Sequence, residues 1–149
     1  MKKFVFNLET LLQHRITVEE KERNELRRLQ YLFQTEINHR NTLHNRLGET
    51  ALELSQLQSG NATDSGEVEW FCLYMDRMRH EIALSDKRIA QLEQDLQAQK
   101  VAVIEATKKT KVLDSLKTRK QKEYSLAVER QGQKAIDEIV VTRFARKNE

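Results

Sequence analysis

Apolar residues recur along this chain at alternating steps of three and four, the spacing of helices that bury one narrow stripe. One register runs through Leu8, Leu12, Arg15, Glu19, Glu22, Leu26, Leu29, Phe33, Glu36, Arg40, Leu43, Leu47, Thr50, Leu54 and Leu57. Nine of these fifteen positions are apolar, and the pattern predicts a first helix at about 8–58 whose seam turns polar around residues 15 to 22. Asn7 is the expected N-cap, because its side-chain oxygen can accept a free backbone N–H, with Phe6 and Leu11 placed to close a hydrophobic staple.

The stretch Ser59-Gly60-Asn61-Ala62-Thr63-Asp64-Ser65-Gly66 is the one cluster of turn formers, and it predicts a bend at 59–66. Asp64, with Glu67 three residues later, has the form of a capping box for a second helix at about 67–143. Its register is Val68, Phe71, Met75, Met78, Ile82, Ser85, Ile89, Leu92, Leu96, Gln99, Val103, Ala106, Thr110, Leu113, Lys117, Lys120, Tyr124 and Ala127. Thirteen of the eighteen are apolar, and the exceptions gather toward the C-terminal half.

Two such seams joined by one bend predict an all-α fold, a single-domain antiparallel coiled-coil hairpin over 1–149. With Leu57 opposite Val68, Leu8 should face a residue near 117, and everything after about 118 should lack a partner. Ile136, Ile139, Val140 and Phe144 nevertheless keep the spacing of one apolar stripe in that tail. The stripe packs against Phe4, Val5 and Phe6, or belongs to a tail that frays in the isolated protein, or enters an apolar pocket or ring of another protein.

Composition agrees with helices and against a large core: 38% of residues are apolar, 33% are charged, and proline is absent. Disorder would not space apolar residues periodically. The apolar run Phe4-Val5-Phe6 is broken by Asn7 and Glu9, too soon for a signal peptide. No stretch approaches the roughly 18 to 20 apolar residues needed to span a bilayer, so any membrane association is expected to pass through a protein partner or the surface. A lone cysteine, Cys72, fits a reducing, cytosolic compartment.

Net charge is +3, but residues 100–122 alone carry +6, with eight cations against Glu105 and Asp114. This is first a solvated helix face, second a surface for an acidic protein, and last a nucleic-acid contact, since the stretch has no aromatic residue for stacking. Catalysis finds no setting. No phosphate loop, nucleophile elbow or Cys-His pairing is visible, and the scattered His14, His39, His44 and His80 lack metal-ligand spacing, so no catalytic, cofactor or metal residue is expected. After the bend, Trp70, Phe71, Tyr74, Met75 and Met78 crowd together; Trp70 and Tyr74 lie off the seam or at its edge, as a cap or as a contact surface.

The opening Phe4-Val5-Phe6-Asn7-Leu8-Glu9-Thr10-Leu11-Leu12 with Arg15, and the ending Glu129-Arg130-Gln131, Lys134, Asp137-Glu138 and Arg143, resemble the flagellar export protein FliJ family. The resemblance implies a non-enzymatic component of the flagellar type III export apparatus, similar to the coiled-coil part of a rotary-ATPase central stalk. It implies that the termini enter and stimulate the hexameric export ATPase, that the hairpin flank meets a membrane protein of the export gate, and that empty export chaperones are escorted. Carried over, the ATPase end comprises Phe4, Val5, Phe6, Leu8, Arg130, Gln131, Ile136, Asp137, Glu138, Ile139, Val140 and Phe144. The gate contact falls on Trp70, Tyr74, Met78 and Ile82. The protein would be monomeric when free, bind no nucleic acid, and lie in the cytoplasm at the inner membrane's inner face. An injectisome stalk of the same plan and a generic coiled-coil scaffold are the alternatives.

Overall fold

The computed structural model describes residues 2–60 and 64–147. It consists of two helices, α1 (Glu9–Ser59) and α2 (Ser65–Lys147), against the expected 8–58 and 67–143. The two long helices pack against each other, so the fold is the expected all-α helical hairpin. Both helices are rich in Leu, Gln, Glu, Lys and Arg, which lose little side-chain freedom in a helix.

The helix ends show how local chemistry sets the boundaries. At the start of α1, the Glu9 N–H donates to the Phe6 carbonyl (3.1 Å) and the Leu12 N–H to the Leu8 carbonyl (2.9 Å). Leu8 therefore occupies the N-cap, one position later than Asn7, and the acidic Glu9 follows at the positive end of the helix. The other end of α1 closes with the Gly60 N–H on the Leu57 carbonyl (3.3 Å) and Ser59 Oγ on the Gln56 carbonyl (2.8 Å), which satisfies two of the last acceptors. Residues 61–63 of the expected bend lie outside the described residues. Asp64 caps α2: its carbonyl accepts the Val68 N–H (3.3 Å) and its Oδ1 accepts the Gly66 N–H (3.0 Å). That bond reaches the second N–H of the helix, where a capping box would use the third.

The chain divides into two compact units, Lys21–Val103 and Met1–Glu20 with Ile104–Glu149. In the first, Leu29, Met75, Met78, Ile82 and Leu96 are buried. Polar seam positions are bonded across the helices. Ser85, completely buried, donates from Oγ to Glu36 Oε1 (2.7 Å), and Arg88 approaches the same carboxylate at 3.5 Å. Arg40 meets Asp86 at 3.3 Å, and the Gln99 amide donates to both the carbonyl and the carboxylate of Glu22. Partner numbers fall on α1 as they rise on α2, which makes the pairing antiparallel.

In the second unit, Leu12, Phe6 and Ala106 form the buried apolar set. Thr107 Oγ1 donates to Glu19 (3.2 Å), and Lys117 Nζ lies 2.8 Å from Glu9 Oε2, where the register placed Leu8 opposite residue 117. Pairing does not stop near 118, however. Phe4 lies with its ring centroid 5.6 Å from that of Tyr124, whose hydroxyl donates to the Lys2 carbonyl, and Val128 is half-buried. The cause is geometric: outside a helix the chain can advance about 3.3–3.6 Å per residue against 1.5 Å within one, so a few non-helical residues before α1 reach further along α2 than a helical arm would. From Glu129 to Lys147 every position is exposed.

Candidate partner-binding surfaces

In the unit that holds both termini, the residues expected at one surface separate into two groups. Phe4 is half-buried against Tyr124 and Phe6 is buried, while Val5 is 76% exposed and Leu8 39%. Phe4 and the Lys2 carbonyl meet α2 at Tyr124, and this segment does not cover the tail stripe. Ile136, Ile139, Val140 and Phe144 are 55 to 70% exposed, so the stripe does not pack on Phe4 to Phe6. Val141, 68% exposed, adds to the apolar surface; it lies off the spacing that defined the stripe, and only its lack of a seam partner could have marked it.

Polar residues frame the stripe. Arg130, Gln131, Asp137 and Glu138 are exposed; Asp137 accepts from Gln133 (3.0 Å) one turn earlier, and the Glu138 carbonyl accepts the Thr142 hydroxyl. A shallow hollow of about 460 Å³ is lined by Ala135, Glu138, Ile139, Thr142, Arg143 and Arg146. An exposed apolar stripe on an otherwise solvated helix has the form used in helix-in-groove recognition.

The unit that holds the bend-side helix ends carries a different surface. Trp70 stacks on Tyr74, one turn on, with ring centroids 5.4 Å apart and planes 6° from parallel, and meets Phe71 edge-on at 5.2 Å. Trp70 is 58% exposed, Tyr74 half-buried, and the neighbouring Leu73 63% exposed. Leu73 was not anticipated, although its position off the seam beside two aromatics was visible. Met78 and Ile82 are 4% and 7% exposed. Both serve the seam between the helices, so Trp70 and Tyr74 alone of that expected set stand where a partner can reach them.

Among the described residues no group of His, Cys, Asp or Glu could hold a metal ion, and Cys72 is an exposed free thiol. No described helix is long and apolar enough to cross a membrane.

Two long helices packed against each other, with exposed apolar and aromatic patches, define a coiled-coil hairpin protein. More particularly, a family model described as the flagellar FliJ protein matches residues 4–149, and the chain belongs to that family. It is thus a non-catalytic component of the flagellar export apparatus, in line with the resemblance of its two terminal motifs. No curated protein and no solved structure matches it.

Proposed function

We propose that this chain is the stalk component of the export apparatus: its terminal unit enters and stimulates the hexameric export ATPase, while Trp70 and Tyr74 meet the membrane-embedded export gate. It works as a monomer in the cytoplasm, held at the inner membrane through these partners, and escorts empty export chaperones. The observation that carries this reading is the exposed stripe Ile136, Ile139, Val140 and Phe144 on a stretch of α2 with no described residue buried. Exposed apolar area of this kind gains roughly 25 cal/mol per Å² on entering an apolar pocket. A two-helix element inside a ring of six subunits cannot contact all six alike. It therefore favours different nucleotide states in different subunits, and a rotating asymmetry of that kind stimulates turnover without the inserted chain hydrolysing anything.

A reciprocal experiment tests the assignment. Changing Ile136, Val140 and Phe144 together to Ser should abolish stimulation of the ATPase and leave capture of the gate protein intact; W70S/Y74S should do the opposite. Full stimulation by the triple variant, with helicity unchanged by circular dichroism, would remove the stripe from the ATPase contact.

A further inference from the structure

In the terminal unit a second exposed stripe runs along α2 on the side away from its seam. Ile104, Lys108, Lys111, Arg119, Lys122 and Leu126 follow one another at steps of four, three, eight, three and four residues, which keeps them on one helix face. The seam residues Ala106, Thr110, Leu113 and Lys117 stand on the opposite side, buried or half-buried. Ile104 and Leu126 are each 52% exposed, and the four cations between them are all exposed. Seam burial explains none of the six.

The charges on this face are only partly neutralised within the chain. Lys108 reaches Glu105 at 3.4 Å and Arg119 reaches Glu123 at 3.4 Å, both as solvent-exposed pairs along the helix, which hold little energy. Lys111 and Lys122 have no carboxylate within ion-pair distance among the described residues. A depression of about 530 Å³ lies along the same side, lined by Ser115, Thr118, Arg119, Lys122 and Leu126 together with the acidic Asp114 and Glu123.

We propose that the face from Ile104 to Leu126 is a docking surface for an acidic amphipathic helix of a partner protein. The two apolar residues at its ends are in line with the cations and about 33 Å apart at 1.5 Å per residue, the length of a helix of roughly 22 residues. A partner helix with a large apolar residue near each end and Asp or Glu between would match both features at once. Charge complementarity steers the encounter and the apolar ends fix the register. Nucleic acid fits less well, since residues 104–123 offer no aromatic for stacking and phosphates would leave Ile104 and Leu126 unused. A lipid surface would call for a broad apolar face where this one has two residues.

The test uses the full chain and a fluorescently labelled helical peptide of about 25 residues, with Leu at positions i and i+22 to match Ile104 and Leu126 and Glu at i+4, i+7, i+15 and i+18 to match the four cations. A scrambled peptide of identical composition, a duplex DNA and phosphatidylserine vesicles serve as competing probes. Because all six residues are exposed, K108E/K111E/K122E and I104S/L126S should keep the native helicity. The designed peptide should bind the native chain at least about tenfold more tightly than its scrambled form, and each variant should weaken it by a similar factor. Equal binding of the scrambled peptide, no loss in I104S/L126S, or tighter binding of DNA or vesicles than of the designed peptide would each overturn the proposal.

Discussion

Ser85 is the most completely buried side chain described, and its hydroxyl donates to Glu36, itself a seam residue. A buried polar pair of this kind contributes little net stability while both partners are present, yet costs more when one is left alone. Ser85→Ala should therefore destabilise the protein by about 1 kcal/mol, whereas E36L/S85A, which removes both polar groups, should come closer to neutral. Urea unfolding of the two variants and of Glu36→Leu gives the coupling directly, and strictly additive effects would contradict the pairing. Arg40 follows the same logic from the other side: one guanidinium nitrogen meets Asp86, but its Nε is buried without a hydrogen-bond partner. Such groups set register more than they stabilise, because an out-of-step pairing leaves each of them facing an apolar neighbour.

Glu9 is the residue at which pH should act. The hydrogen bond from Lys117, and after it that from Gln13, holds its carboxyl below the ordinary value of 4.5. A depressed pKa means that the folded state prefers the ionised form, so its contribution is present at neutral pH and fades as pH falls below about 4.5. Both partners are partly open to solvent and salt will weaken the pair further. Amide exchange across the first turns of α1 should accelerate as pH falls through this window, relative to the intrinsic rate. In Glu9→Gln that acceleration should be absent; its persistence would place the pH response elsewhere.

At the scale of the helices, the seams could be read almost completely from residue spacing. Of the positions in the two registers, only Leu8, Lys120 and Ala127 are exposed; the rest are buried or half-buried, including Glu22, Glu36 and Gln99. Periodicity is enough here because a two-helix pair has one interface and each position's side is set by its phase on the helix. Polar residues that kept the phase were rightly counted, and what spacing could not show was how they bond: Gln99 to Glu22, Ser85 to Glu36 and Thr107 to Glu19. The helix ends were less legible. Asn7 and Leu8 compete for the N-cap, and the choice depends on where the preceding chain docks; Asp64 had no such competitor. The candidate surfaces divided in the same way. Exposure of Ile136, Val140, Phe144 and Trp70 followed from their phase or lack of a partner, as did the burial of Met78 and Ile82.

For the whole chain, the decisive quantity is how far α2 continues beyond the part that packs. Counting helix against helix put that limit near 118; the packing of Phe4 on Tyr124 moves it to Val128. Residues 129–147 then bury nothing within the molecule, so this stretch of the helix should contribute little to folding stability. Removing residues 129–147 should leave thermal unfolding within a few degrees of the native midpoint, since about 1 kcal/mol corresponds to only a few degrees in a chain of this size. The same truncation should abolish ATPase stimulation and leave binding of the acidic peptide to the Ile104 to Leu126 face unchanged. Tyr124→Ala reports on the other side of the boundary. It should lower the midpoint measurably, because an aromatic contact is lost, together with the bond to the Lys2 carbonyl. If truncation destabilises the chain as much as Tyr124→Ala does, the tail is packed in solution, and its exposed stripe is part of the fold and not of an interface.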